Sequence, residues 1–240
     1  MAKNRPRRGS PLHLVGAFEL FGQSYQIIKR NFEVFILLFS VGALLAMWET
    51  LGRYVQDEPS RDWKVFLINR GFGSNVDTGV FAAGGFMFFI SILYALAYLL
   101  LTIAVLRAAQ GQKITIGGLW RELVDRWLWL KLIGAFVLVA LALIAGFIAL
   151  IIPGVILIWR LFFVPFVLID QKTTIEGAFR RSWRMTRGYA WPIYSVILVT
   201  ILLSITNVLP IFGPLIAFVL GAIYTVAPAL RYQELKKLSA

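Results

Sequence analysis

Long apolar runs separated by short, mostly basic segments dominate this chain: Phe32–Leu51, Val80–Leu106, Trp129–Ile152, Val155–Ile169, Trp191–Leu209 and Ile211–Leu230. A helix needs ~20 predominantly apolar residues to cross the ~30 Å hydrocarbon core of a bilayer. Five of the six runs meet that length. The fourth reaches only ~22 Å at about 1.5 Å per residue, and it contains Arg160 and Pro165. A re-entrant or a tilted and kinked segment therefore stays open there. Hydrophobic residues make up 59% of the 240 and charged ones 15%, against about 45–50% and about 25% in soluble domains. The expected fold class is all-α: a polytopic membrane protein of about six transmembrane helices, with residues 1–240 as a single integral membrane domain.

The net charge is +12, a balance that in a soluble chain would suggest nucleic acid. Its placement argues otherwise, because the cations cluster beside the ends of spans and no soluble domain is left to read a groove. One set of segments carries Lys3, Arg5, Arg7, Arg8, Lys29 and Arg30, then Arg107, Lys113, Arg121, Arg126 and Lys131. It continues with Lys172, Arg180, Arg181, Arg184 and Arg187, then Arg231, Lys236 and Lys237. The opposite set has Arg53, Arg61, Lys64 and Arg70, offset by Asp57, Glu58, Asp62 and Asp77. By the positive-inside rule both termini are expected in the cytoplasm, which an even number of spans also requires. No apolar run begins before Phe32, so the basic start does not read as a signal peptide. Residues 1–11 are expected to be a disordered basic tail.

Between the spans, Thr173–Gly188 reads TTIEGAFRRSWRMTRG. Ile175, Ala178, Phe179, Ser182, Trp183 and Thr186 recur at the spacing of one helical stripe, and Arg180, Arg181, Arg184 and Arg187 fall outside it. Thr173 and Glu176 have the spacing of a capping box, and Gly188 can close the helix in the left-handed conformation. An Arg-rich helix with Trp and Phe on its other face suits a membrane surface, rings in the acyl boundary and cations among phosphates. Two other segments have comparable stripes: Leu14, Phe18, Phe21, Tyr25 and Ile28, and then Ile116, Leu119, Trp120, Leu123 and Trp127. TIGGLWR at Thr115–Arg121 aligns with TIEGAFR at Thr174–Arg180. The first segment aligns in two registers, LVGAFE at Leu14–Glu19 with IEGAFR, or Phe21–Lys29 with Phe179–Arg187. A threefold repeat of amphipathic helix plus apolar hairpin would account for these matches.

Ile151–Gly188 resembles the signature of the YciC-like bacterial inner-membrane proteins, and equally the membrane domain fused to some glycerophosphoryl diester phosphodiesterases. Pro153, Gly154, Arg160, Pro165, Ala178, Ser182, Trp183, Thr186, Arg187 and Gly188 carry the likeness, and Phe21–Lys29 echoes it. The resemblance implies a six-span protein of the bacterial cytoplasmic (inner) membrane. The resemblance does not extend to the phosphodiesterase catalytic domain, so that activity is not expected to carry over.

Few residues here support chemistry. Cysteine is absent and His13 is the one histidine, so neither a thiol nucleophile nor a His-based metal centre can be assembled within one chain. Asp57, Glu58 and Asp62 could hold a hard cation but read more simply as a solvated loop. No phosphate-cradling glycine motif occurs in a strand-to-helix setting; Gly84-Gly85 and Gly117-Gly118 read as packing or helix-start glycines. No catalytic residue, cofactor or metal is expected. Arg160 is the sharpest single residue, because a charge inside a span is costly. Set nearer the outer end of its span, it could pair with Glu49 or snorkel to outer phosphates. Small residues at four-residue spacing (Gly213, Ala217, Gly221 and Thr225, and Ala142 with Gly146) permit close helix approach, within the chain or in a homo-oligomer. The expected function is non-enzymatic: anionic headgroup binding by Arg180, Arg181, Arg184, Arg187 and Trp183, organising lipids or supporting envelope proteins. The alternative is a small-solute or lipid transporter or channel, with Arg160 and broken helices as its clues. Against it, the spans hold few of the carboxylates that coupled carriers need.

Overall fold

The structure, a computed structural model, describes residues 14–57, 76–205 and 213–239, with side chains at 45–57, 76–87, 126 and 213–215 outside that description. The 1–11 tail, His13, Glu58, Asp62 and the side chains of Glu49 and Asp57 therefore lie outside the described set. Every described element is a helix. In chain order they are α1 (Glu19–Arg30), α2 (Phe32–Asp57), α3 (Val76–Ala109), α4 (Ile116–Val124), α5 (Leu128–Ala149) and α6 (Ile151–Leu161). There follow α7 (Val164–Gln171), α8 (Ile175–Met185), α9 (Ala190–Ile205), α10 (Gly213–Tyr224) and α11 (Ala227–Ser239), and a 3-10 turn at Asp125–Trp127 links α4 to α5. The chain divides into two compact units: Met1–Phe32 with Thr102–Ala240, and Glu33–Leu101. The second unit holds most of α2 and about the first three quarters of α3.

Among the described residues four helical stretches are long and apolar enough to cross a bilayer: Phe88–Ala109, Leu128–Ala149, Ile151–Gln171 and Ile216–Ser239. A fifth candidate is the bent pair of α8 with α9, and Phe32–Leu44 is a shorter apolar helix. The protein is an all-α, multi-pass membrane protein. The doubtful fourth segment gains its length at both ends, running over 21 residues. Pro153, expected to separate two spans, instead sits in the first turn of α6. There its missing N–H has no intrahelical partner to lose. The connection from α5 to α6 is the single residue Leu150, whose amide donates to the Gly146 carbonyl at 3.1 Å. α5 and α6 can fold back this closely because both lack side chains at the contact. A Cβ on Gly146 would lie 2.7 Å from Leu157 Cδ1 and 3.1 Å from Gly154 Cα, and one on Gly154 would lie 2.7 Å from the Phe147 ring. By contrast, a Cβ on Gly221 would meet nothing within 4 Å, so among the described residues Gly221 makes no close helix contact.

Two of the long helices break near a proline. Pro165 lies in the first turn of α7 and Pro228 in that of α11, and neither can donate to the turn before it. The element order carries one unit three times: a short helix, then two long helical stretches. Burial fixes the register of the short helices. Leu20 and Ser24 of α1, Leu119 and Leu123 of α4, and Ala178 and Ser182 of α8 are the buried i, i+4 pairs. That pairing selects the Phe21–Lys29 alignment over LVGAFE, which precedes the start of α1 at Glu19. It also keeps Thr115 opposite Thr174, and both cap their helices: Thr115 Oγ1 accepts from Gly118 N and Thr174 Oγ1 from Gly177 N. Trp127 departs from the expected stripe, because α4 has already ended and Trp127 takes a left-handed φ of 58°.

The first unit has its core where α1 meets α9, α10 and α11. Leu20, Val196, Val199, Tyr224 and Ala227 are buried there, with Val15, Ala17 and Phe21 packed against them. Tyr224 donates to the Ala17 carbonyl at 3.0 Å. Arg231, 1% exposed, donates to the Val15 carbonyl at 2.7 Å and to Glu234 at 2.6 Å. Its charge is thereby compensated where a lone cation would be very costly.

Candidate functional site

α8 is built as the sequence predicts in outline, with one shift at its start. The capping residue is Thr174, not Thr173: the Thr174 side chain accepts from Gly177 N at 3.2 Å. A residue with extended φ and ψ is required at that place, and Thr174 has them (−75°, 161°). Glu176, freed from a capping-box role, pairs with Arg180 at 2.9 Å on the exposed face. At the other end Gly188 has φ +87°, a conformation open to glycine at little cost. Four residues, Thr186–Tyr189, separate α8 from α9, and the two helix axes differ by 105°.

The faces sort as the 3.6-residue period requires. Ala178, Ser182, Met185 and Thr186 are buried, while Arg180, Arg181, Arg184 and Arg187 are exposed. Trp183 lies at the margin, 44% exposed. Among the described residues Arg181, Arg184 and Arg187 form no ion pair, so three of the four expected headgroup cations are uncommitted. Trp191, at the start of α9, is 77% exposed, and Trp120 and Trp127 are exposed as well. Tryptophans with one flank open suit the boundary between hydrocarbon and water.

Arg160 joins this helix. Its Nη1 donates to the Trp183 carbonyl at 3.0 Å, and Ser182 Oγ donates back to the Arg160 carbonyl at 2.7 Å. Both carbonyls lie in the last turn of a helix, where no backbone N–H follows to satisfy them. Each helix thus lends a donor to the other's last turn, and the Trp183 carbonyl also accepts from Thr186 Oγ1 at 3.2 Å. A cation beside the C-terminus of α8 also meets the negative end of the helix dipole. The Arg160 guanidinium carbon lies 4.9 Å from the Trp159 ring centre and 5.0 Å from that of Trp183, within cation-π range of both. Trp159 in turn stacks on Tyr194, centres 5.8 Å apart, and Tyr194 donates to the Val155 carbonyl at 2.6 Å. Arg160 therefore sits on α6 with its guanidinium against the last turn of the basic helix, and the side chain of Glu49, its expected partner, lies outside the described residues.

A second polar constellation escaped sequence reasoning. Arg107 of α3 grips the Glu122 carboxylate of α4 through Nε and Nη2, and its Nη1 donates to Gln110 at 2.8 Å. Gln110 passes the chain on to Asp170 at 2.7 Å. Asp170, only 6% exposed at its side chain, also accepts from Tyr232 at 2.7 Å and Lys236 at 2.6 Å. Its two oxygens thus receive three donors, and the charges pair one to one, Arg107 with Glu122 and Lys236 with Asp170. This arrangement fastens four helices together and presents no free acid or base. Asn31 adds a further tie, its Oδ1 accepting from Ile114 N at 3.2 Å. Among the described residues no three His, Asp or Glu side chains gather as they would around a metal ion. No protein-family model, curated protein or solved structure matches this chain.

Proposed function

We propose that this protein is a non-enzymatic membrane protein whose basic surface helices bind anionic lipid headgroups, and that it organises lipids or supports other proteins of the envelope. The observation that carries the reading is the 105° angle between α8 and α9. With α9 crossing the bilayer, a helix turned through that angle runs along the surface. Its exposed Arg181, Arg184 and Arg187 then lie among phosphates, and the margin residue Trp183 lies at the acyl boundary. Helices of this kind bind by apolar burial together with attraction to anionic lipid. The resemblance to YciC-like proteins supports a bacterial inner membrane, and the distribution of cations supports cytoplasmic termini.

The test is a variant with Arg180, Arg181, Arg184 and Arg187 all changed to Gln. Insertion should be unaffected, because the apolar spans supply that energy. The purified variant should retain several-fold less phosphatidylglycerol, and the wild type should lose the same lipid as salt is raised. Unchanged lipid content with altered orientation would mean that these arginines only set topology, and the headgroup reading would fall.

A further inference from the structure

We propose that Trp159 and Arg160, walled by Trp183, form a discrete seat for a single phosphoryl group at the edge of the basic surface. The seat deepens the headgroup reading above and rests on it. Arg160 lies within the candidate span Ile151–Gln171, where a charge persists only with compensation. Among the described residues no carboxylate supplies it. One of its nitrogens is held by the Trp183 carbonyl at 3.0 Å. Arg160 Nε and Trp159 Nε1 are both buried and lack an acceptor. Buried donors are almost always satisfied, and two on consecutive residues, one of them cationic, point to an anion with several oxygens.

The geometry favours a phosphoryl group. The guanidinium carbon lies 4.9 Å and 5.0 Å from the two indole centres, so the rings fix its position as the Trp183 carbonyl fixes one of its nitrogens. A planar, pre-oriented guanidinium matches tetrahedral phosphoryl oxygens through paired N–H bonds. Trp183, which touches the guanidinium, is half-exposed, and Arg184 and Arg187 of the same helix are exposed. A partly buried cation is screened far less than an exposed one. Occupancy of the seat is therefore salt-resistant and limited to one, unlike the diffuse attraction of the outer arginines.

Native mass spectrometry of the detergent-purified protein tests this, with phosphatidylglycerol, phosphatidylcholine, diacylglycerol or inorganic phosphate added. One phospholipid of either type should survive high salt, and diacylglycerol, which has no phosphate, should not replace it. Trp159→Phe keeps the ring and removes one N–H; Arg160→Lys keeps the charge and removes the fork. Each should weaken that phospholipid roughly tenfold or more, as expected for loss of a hydrogen bond to a charged group. Displacement by inorganic phosphate would assign the seat to soluble phosphate, and resistance to it would assign the seat to lipid. Wild-type retention in both single variants, or equal binding of diacylglycerol, would overturn the seat. So would a loss of stability in Arg160→Gln that Glu49→Gln restores. The four-arginine variant separates the two readings: it should keep the salt-resistant lipid and lose the salt-sensitive shell. Retaining both would sink the surface reading and leave the seat intact.

Discussion

Ser24 and Ser182 occupy the same place in two copies of the repeat and are both fully buried, yet their hydroxyls are in different situations. Ser182 Oγ donates to the Arg160 carbonyl at 2.7 Å, whereas Ser24 Oγ has no partner. Ser182→Ala should therefore cost about 1 kcal/mol, the net value of a typical intramolecular hydrogen bond. Ser24→Ala should be neutral or slightly stabilising, because it removes a polar atom that burial leaves unsatisfied. Thermal unfolding in detergent, run on both variants, reads the difference directly. Asp170 provides a larger effect. Asp170→Ala deprives Gln110, Tyr232 and Lys236 of their shared acceptor and should cost ~2–4 kcal/mol. Lys236 is more than a third exposed, so Lys236→Met should cost about 1 kcal/mol or less. Equal losses in the two would mean that the ion pair, and not the carboxylate's whole set of donors, holds α11 in place.

Glycine roles separate at the scale of the helix. Gly146→Leu would drive side-chain atoms into Leu157 and the Gly154 backbone. Overpacking of that kind costs about 1–3 kcal/mol and here would open the α5–α6 hairpin. Gly221→Ala meets open space and should leave the monomer as stable or more so, by up to about 1 kcal/mol from helix propensity. A reversed order of the two stabilities would show that the α10 stripe, not the α5–α6 contact, is the close approach. The helices themselves were legible in the sequence, because hydropathy, stripe spacing and the glycine after α8 are local properties. The ends were less so, since Pro153 is tolerated in a first turn and thus marks no boundary. The site was legible only in part. Arg180, Arg181, Arg184, Arg187 and Trp183 follow from helical period alone. The partner of Arg160 is a main-chain carbonyl, which has no signature in a sequence, and the donors of Asp170 come from residues 60 or more positions away. Two of the buried i, i+4 pairs, Leu119 with Leu123 and Ala178 with Ser182, lie in the expected stripes; Leu20 with Ser24 does not, because the apolar spacing there runs through Phe18 and Tyr25, which are exposed.

For the molecule as a whole, the absence of cysteine makes topology directly measurable. Single cysteines at Ser10, Gln112, Lys172 and Ser239 should resist membrane-impermeant thiol reagents in intact cells, while those at Ser60 and Ser74 should label. Lys172 is a better reporter than its neighbour Gln171, which is half-buried and donates to Tyr232 at 3.5 Å. Labelling of Lys172 from outside would mean that Ile151–Gln171 does not cross. The one-residue link at Leu150 also bears on biogenesis. In that topology the α5–α6 tip passes through the bilayer carrying no charged residue, whereas the segment between α2 and α3 must export Glu58, Arg61, Asp62, Lys64 and Arg70. Each elementary charge moved across a membrane potential involves about 2.3 kcal/mol per 100 mV. Those five charges sum to +1, and an inside-negative potential opposes the export of net positive charge. Dissipating the potential during synthesis should therefore modestly hasten translocation of the segment holding Ser60 and leave insertion of the α5–α6 hairpin unchanged. Two halves of one polypeptide would then enter the membrane under different forces, the earlier one tied to the energetic state of the cell.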